Sequence, residues 1–222
     1  MPDLRLQIGR KEIPFCVLRF SVVRSKANPD IRLPARPGEL IRAVGQHGVT
    51  ISQVTNDFKE SGYMLGREIP NYWTGQCFGC SKTNIQGLGL RFWHSENGCL
   101  TKCTIPDYLC GIDGLVHGGL ITLLLDEVAQ WTMIGRLGKM GVTREISVRF
   151  LKPVPTNTEL IVEGQIIKQD EKSVILRSTM HSADDVLLAE AESNWLLVGL
   201  SAIAKISSVD ESTLQEFLAR YP

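Results

Sequence analysis

Residues 114–131, GLVHGGLITLLLDEVAQW, constrain this chain more than any other stretch. Their spacing predicts a helix over about residues 117–136, apolar on most of its circumference, and such a helix needs cover nearly all round. A membrane would supply that cover, but His117, Asp126, Glu127 and Gln130 make the segment a poor span. It therefore reads as a core helix, and its two carboxylates need an explanation. Desolvating an unpaired carboxylate costs several kcal/mol, so at least one of them must meet solvent, a partner charge or a substrate.

The flanking sequence identifies the cover. Upstream, GLGLRFWHSENGCLTKCTI reads as two strands around a Ser-Glu-Asn-Gly turn. Downstream, TREISVRFLKPVP alternates, with Ile146, Val148 and Phe150 on one face and Glu145, Ser147 and Arg149 on the other, as a half-buried antiparallel strand does. Further strands follow in ELIVEGQIIKQ, SVILRSTMHS and VLLAEAESNWLLVG, joined at the turn signals DEK and ADD. The C-terminal VDESTLQEFLAR reads as a short amphipathic helix with a Ser available as its cap. Strands, one long apolar helix and more strands fit an α+β arrangement in which a curved antiparallel sheet wraps the helix.

Residues 1–70 have a different texture. Two β-rich runs around GRKE suggest a hairpin within residues 4–24, a Pro-rich break follows, and residues 39–60 carry helical spacing interrupted by Gly45 and Gly48. The expected organisation is an accessory extension over 1–70, packed on the core or on a partner subunit, and a main domain over 71–222. Length alone, 222 residues, suits one large domain or one domain with an extension. Residues 1–70 hold 11 Lys/Arg and 7 Asp/Glu, and residues 71–222 hold 13 and 17, so the parts carry +4 and −4. That imbalance is too small to argue for a nucleic-acid partner. The apolar run IPFCVLRFSVV contains Arg19 and lacks a small-residue cleavage site, so no signal peptide is read and a cytoplasmic location is the expectation.

Cys77-x-x-Cys80 followed by Cys99-x-x-x-Cys103 approximates zinc-ribbon spacing. Cys99 and Cys103 fall on one predicted strand, however, where residues four apart lie roughly 13 Å from each other. That is too far to chelate one ion. Reduced packing thiols, no metal and no cofactor are the expectation.

Three stretches, CFGCSKTNIQGLGLRF, GLVHGGLITLLLDEV and TREISVRFLKPVP, occur in an order and spacing that resembles the hotdog-fold acyl-CoA thioesterases, particularly the PaaI-like group. The resemblance covers about residues 71–200. It implies that Gly118, after His117, offers its backbone N–H to the thioester carbonyl, that Asp126 is nucleophile or base for water, and that Thr143 helps hold the water or the carboxylate. Some relatives carry Asn or Gln six residues before the His, where this chain has Gly111.

Elementary chemistry points to the same residues. Free N–H groups at a helix start suit a developing oxyanion, Gly118 and Gly119 allow close approach of a substrate, and an apolar setting raises a carboxylate's pKa. The alternatives are a buried structural acid at Asp126, a capping or packing role for His117 beside a positioning one, and a Glu127 that faces solvent or a subunit boundary. Lys152 is a candidate contact for a CoA phosphate. Gly118 and Asp126 are eight residues apart, roughly 12 Å along one helix and about 80° around it, so one thioester carbon cannot meet both within a chain. Two antiparallel helices from two-fold-related chains bring them together, and the expectation is a homodimer or dimer of dimers with shared sites for acyl-CoA.

Two other functions compete. A hotdog dehydratase is disfavoured by the absence of an FPGxPxxPG-like stretch. An acyl-CoA-binding sensor without turnover, with residues 1–70 contacting DNA or protein, draws only on the +4 charge and the helical spacing of residues 39–60.

Overall fold

The computed structural model describes residues 5–8, 11–14 and 66–222. β1 (Arg5–Ile8) and β2 (Lys11–Pro14) pair antiparallel, which is the hairpin expected around GRKE, with Lys11 and Glu12 already in its second strand. The helices expected within residues 39–60 lie outside the described residues.

From residue 66 the chain builds one seven-stranded sheet. β3 (Glu68–Ile69), β4 (Phe92–His94) and β5 (Gly98–Thr104) come first, then a short hairpin of β6 (Cys110–Ile112) and β7 (Leu115–Val116), and then the long helix α1 (Gly118–Leu137). β8 (Gly141–Phe150), β9 (Glu159–Gln169), β10 (Ser173–Ser182) and β11 (Leu187–Leu197) follow, with α2 (Leu200–Ile206) and α3 (Glu211–Leu218) after them. The strand order is β3-β4-β5-β9-β10-β11-β8, and every neighbouring pair is antiparallel. The sheet already takes in Glu68 and Ile69, upstream of residue 71.

α1 touches β4, β5, β9, β10, β11 and β8. Six flat strands would span roughly 24 Å at about 4.8 Å each, twice the 10–12 Å width of a helix, so contact with all six requires the sheet to curve around it. That is the hotdog arrangement. The closest approach is at Gly164 of β9, where a Cβ would lie 2.5 Å from Thr132 Oγ1 and 2.9 Å from the Val128 carbonyl oxygen. Ser178 of β10 donates to the Leu125 carbonyl at 2.8 Å, tying helix to sheet. Gly138 ends α1 in the left-handed conformation, φ 57°.

The rest of the helix is covered by the loop before β4 and by α3. Trp131 stacks on Phe92 at 4.7 Å and meets Phe217 and Tyr221 edge-on at 6.4 and 6.2 Å. α3 is the expected C-terminal helix, but its cap is Asp210 and makes no side-chain bond; Ser212 falls inside the first turn and cannot cap it. α2, seven residues long, is too short to leave a readable periodicity. Among the described residues no helix is long and apolar enough to cross a membrane.

Candidate active site

α1 carries two groups of the expected site residues, one at its start and one at its middle. At the start, His117 is the N-cap: its Nδ1 accepts from the Gly119 N–H at 2.9 Å and its carbonyl accepts from Leu120 and Ile121. The capping alternative for His117 is thus realised. Gly118 is the first helical residue, and its N–H belongs to the turn for which helix geometry provides no acceptor. The Phe150 ring lies 3.7 Å from where a Gly118 Cβ would be. Gly119 and His117 are exposed. Gly111 packs against His117, where a Cβ would sit 3.2 Å from His117 Cδ2, so the imidazole occupies the space beside the position that carries an amide in some relatives.

At the middle, Asp126 is half-buried and Oδ1 accepts from the Thr143 hydroxyl of β8 at 2.8 Å. Burial pushes its carboxyl up to about 6, against the opposing pull of the Thr143 hydrogen bond. The structure therefore brings Asp126 and Thr143 together and leaves Gly118 two helical turns away. Lys152 is exposed, two residues past Phe150 and so at the Gly118 end of the helix, and nothing draws its side chain to Asp126.

Glu127 departs from expectation. It faces neither open solvent nor a bare outer surface but is half-buried against the loop that carries Cys77, whose Sγ lies 3.1 Å from Glu127 Oε1. Burial and the neighbouring thiol push its carboxyl well up, to about 9. The Cys77 thiol moves the other way, lowered by the Cys80 side chain and backbone N–H groups that point at its sulfur. The C-x-x-C spacing was the signal for this cluster; the Glu that completes it is 50 residues away in sequence. Two buried amide groups also went unread. Gln130 Nε2, one turn beyond Asp126 on the same face, has no hydrogen-bond partner among the described residues. Asn194 Oδ1, beside the Trp195 that pairs with Thr143, likewise has none.

With this geometry in view, the chain can be compared with known proteins. Residues 113–189, from just before β7 to the start of β11, match the model of the thioesterase superfamily. The likeness to the thioesterase superfamily is confined to this segment. It contains His117, Gly118, Gly119, Asp126, Thr143 and Lys152, and it excludes the Cys77–Cys80 loop. Among its relatives is a putative esterase of Saccharolobus solfataricus, 26% identical over 113 residues, 50% of this chain and 74% of that one. MIOREX complex component 3 of Saccharomyces cerevisiae is 32% identical over 124 residues, 52% of this chain and 45% of that one. Acyl-coenzyme A thioesterase THEM4 of Mus musculus is 26% identical over 81 residues, 36% of this chain and 34% of that one. The chain thus spans under half the length of the last two.

Proposed function

We propose that this protein hydrolyses acyl-CoA thioesters to free acid and CoA, at a site shared between two copies of the chain. The observation that carries the reading is the Asp126–Thr143 pair, a half-buried carboxylate on the long core helix held at 2.8 Å by a strand hydroxyl. Its location within the thioesterase-superfamily segment and the name of the THEM4 relative support the choice of substrate.

In this mechanism the Gly118 N–H of one chain, at the positive end of α1, hydrogen-bonds the thioester carbonyl and stabilises the oxyanion as it forms. Asp126 of the other chain acts in one of two ways. As a base it takes a proton from water, whose oxygen bonds to the carbonyl carbon while the C–S bond breaks and CoA leaves as thiolate. As a nucleophile its oxygen bonds to the carbonyl carbon while the C–S bond breaks and CoA leaves as thiolate, and water then hydrolyses the resulting anhydride to the free acid and the Asp126 carboxylate. Thr143 orients the carboxylate in both cases, His117 holds the helix start in place, and Gly119 leaves room for the substrate. Lys152, at the same end as Gly118, is placed to meet a CoA phosphate. Sharing is favoured by β8, which ends the sheet and exposes Val142 and Phe150, a surface suited to a second copy.

The test is release of free thiol from a panel of aliphatic and aryl CoA thioesters. Turnover by the wild-type chain that is lost in a folded Asp126→Asn variant is the expected result. Saturable binding of acyl-CoA with no turnover would instead make the protein a sensor.

A further inference from the structure

Among the described residues, Cys77, Cys80 and Glu127 bring two sulfurs and a carboxylate oxygen within 4.8 Å of one another. None of the three takes part in the mechanism above. Glu127 is one residue from Asp126, which turns it about 100° around the helix, and it points into the loop instead of toward β8.

Several features shape this loop around the cluster. The Cys80 N–H points at Cys77 Sγ at 3.4 Å, and the Ser81 N–H bonds the Cys77 carbonyl at 3.1 Å, so the two cysteines are held in one tight turn. Asn71 Nδ2 donates to the Cys80 carbonyl at 2.6 Å, and Leu88 and Leu90 bond the carbonyls of Phe78 and Gly79, which fixes the turn from outside. Gly79 is what lets the carboxylate in. A Cβ there would lie 2.4 Å from the Glu127 carboxyl carbon, so any side chain at residue 79 would push Glu127 off the thiols.

The remaining cysteines of the fold provide the contrast. Cys99 and Cys103 are buried on β5, their thiols raised by desolvation, and among the described residues no metal-ligand cluster forms around either. Packing explains those two. It does not explain a thiol and a carboxyl that both lose water to sit 3.1 Å apart, because desolvating two acids side by side is costly unless a proton or a cation lies between them. A tetrahedral zinc site, with Zn–S near 2.3 Å and Zn–O near 2.0–2.2 Å, separates its ligand atoms by about 3.5–3.8 Å. The 3.1 Å between Cys77 Sγ and Glu127 Oε1 must open by about half an ångström, and no ligand pair exceeds 4.8 Å, so closing onto one ion takes shifts of about 1 Å or less; C-x-x-C is an established ligand spacing.

We propose that Cys77, Cys80 and Glu127 bind one thiophilic divalent cation, with Zn2+ preferred, as a three-ligand site whose fourth position is taken by water. Sulfur ligands select Zn2+ over Mg2+ or Ca2+. Cys77 and Glu127 are only half-buried, so the side of the cluster that they form is open to a water molecule. On binding, the cation displaces the protons from Glu127 and from both thiols. It clamps the loop over residues 77–90 onto α1, about 100° around the helix from Asp126.

The test uses the full chain carrying Cys16→Ser, reduced, stripped with chelator and handled without oxygen. Titration with Co2+ should give thiolate-to-cobalt absorption that saturates near one equivalent and is abolished by adding Zn2+. Cys77→Ser or Cys80→Ser should remove the absorption, Glu127→Gln should weaken Co2+ binding by at least about tenfold, and Cys110→Ser should leave it unchanged. A second reading needs no variant of these ligands: Zn2+ should slow alkylation of Cys77, followed by mass spectrometry. No cobalt absorption in the folded, reduced chain, whether residue 16 is Cys or Ser, overturns the site, as does absorption that survives Cys77→Ser. Alkylation of Cys77 that is indifferent to Zn2+ overturns it too. Binding that requires Cys16, seen as loss of absorption only on Cys16→Ser, overturns the water-filled fourth position.

Discussion

Asp126 and Glu127 sit one residue apart on α1 and are both half-buried, yet Asp126 meets the Thr143 hydroxyl of a strand and Glu127 meets the Cys77 thiol of a loop. Burial raises both carboxyls. The strand hydroxyl donates to Asp126 and draws its pKa back toward the ordinary range, whereas the neighbouring thiol drives that of Glu127 further up. A step of about 100° on a helix is thus enough to give adjacent acids different chemistry. One is kept available to a substrate, the other is kept for a proton or a cation.

The sharpest way to break that division is to neutralise each acid in turn. Asp126→Asn should lower kcat by about a thousandfold, within the 10²–10⁴ range for loss of a general base, measured as thiol release by a chain whose circular dichroism is unchanged. Next in size is the mixed dimer. Gly118→Pro keeps the helix, because Pro is tolerated at its first position, while deleting the N–H. Gly118→Pro and Asp126→Asn chains, each inactive alone, should recover about half of wild-type activity when purified together as a heterodimer. A verified heterodimer that stays inactive would refute the shared site.

Gly79→Ala probes the other acid. Its methyl group meets the Glu127 carboxyl, so urea denaturation should show a loss of about 1–3 kcal/mol. Thr143→Val preserves shape and removes the donor to Asp126, a change worth about 1–1.5 kcal/mol, and kcat should fall by about 5–10-fold. The smallest effect is expected from Glu127→Gln. Glutamine resembles the protonated acid, so kcat should change by less than about threefold; a loss as large as that of Asp126→Asn would end the distinction between the two faces.

Much of this arrangement was legible in the sequence, for identifiable reasons. The apolar character of most of the circumference of residues 118–137 demanded a wrapped sheet, and the alternation at Ile146 and Val148 placed β8 beside it, while Phe150 at its end is exposed. The pairing of Asp126 with Thr143, 17 residues on, was implied by the resemblance and not by periodicity or spacing. Glu127 and Cys77 are 50 residues apart. Their meeting depends on how a turn without periodicity folds back onto the helix, which neither helical nor strand spacing encodes. Gln130 and Asn194 escaped notice because an amide signals little until its surroundings are seen to offer it no partner. α2 carries too few residues for a pattern to repeat.

Tyr221 bonds through its hydroxyl to the Pro70 carbonyl, 151 residues earlier, while its ring rests against Trp131 and Phe217. During synthesis, then, the sheet strands and α1 leave the ribosome well before the aromatic cover over Trp131 exists. A nascent chain with β11 complete would still expose that tryptophan to water, and to any chaperone that reads apolar surface. Closure waits for α3 and the residues that follow it, which makes burial of Trp131 a late event that its fluorescence should report as residues 214–221 emerge.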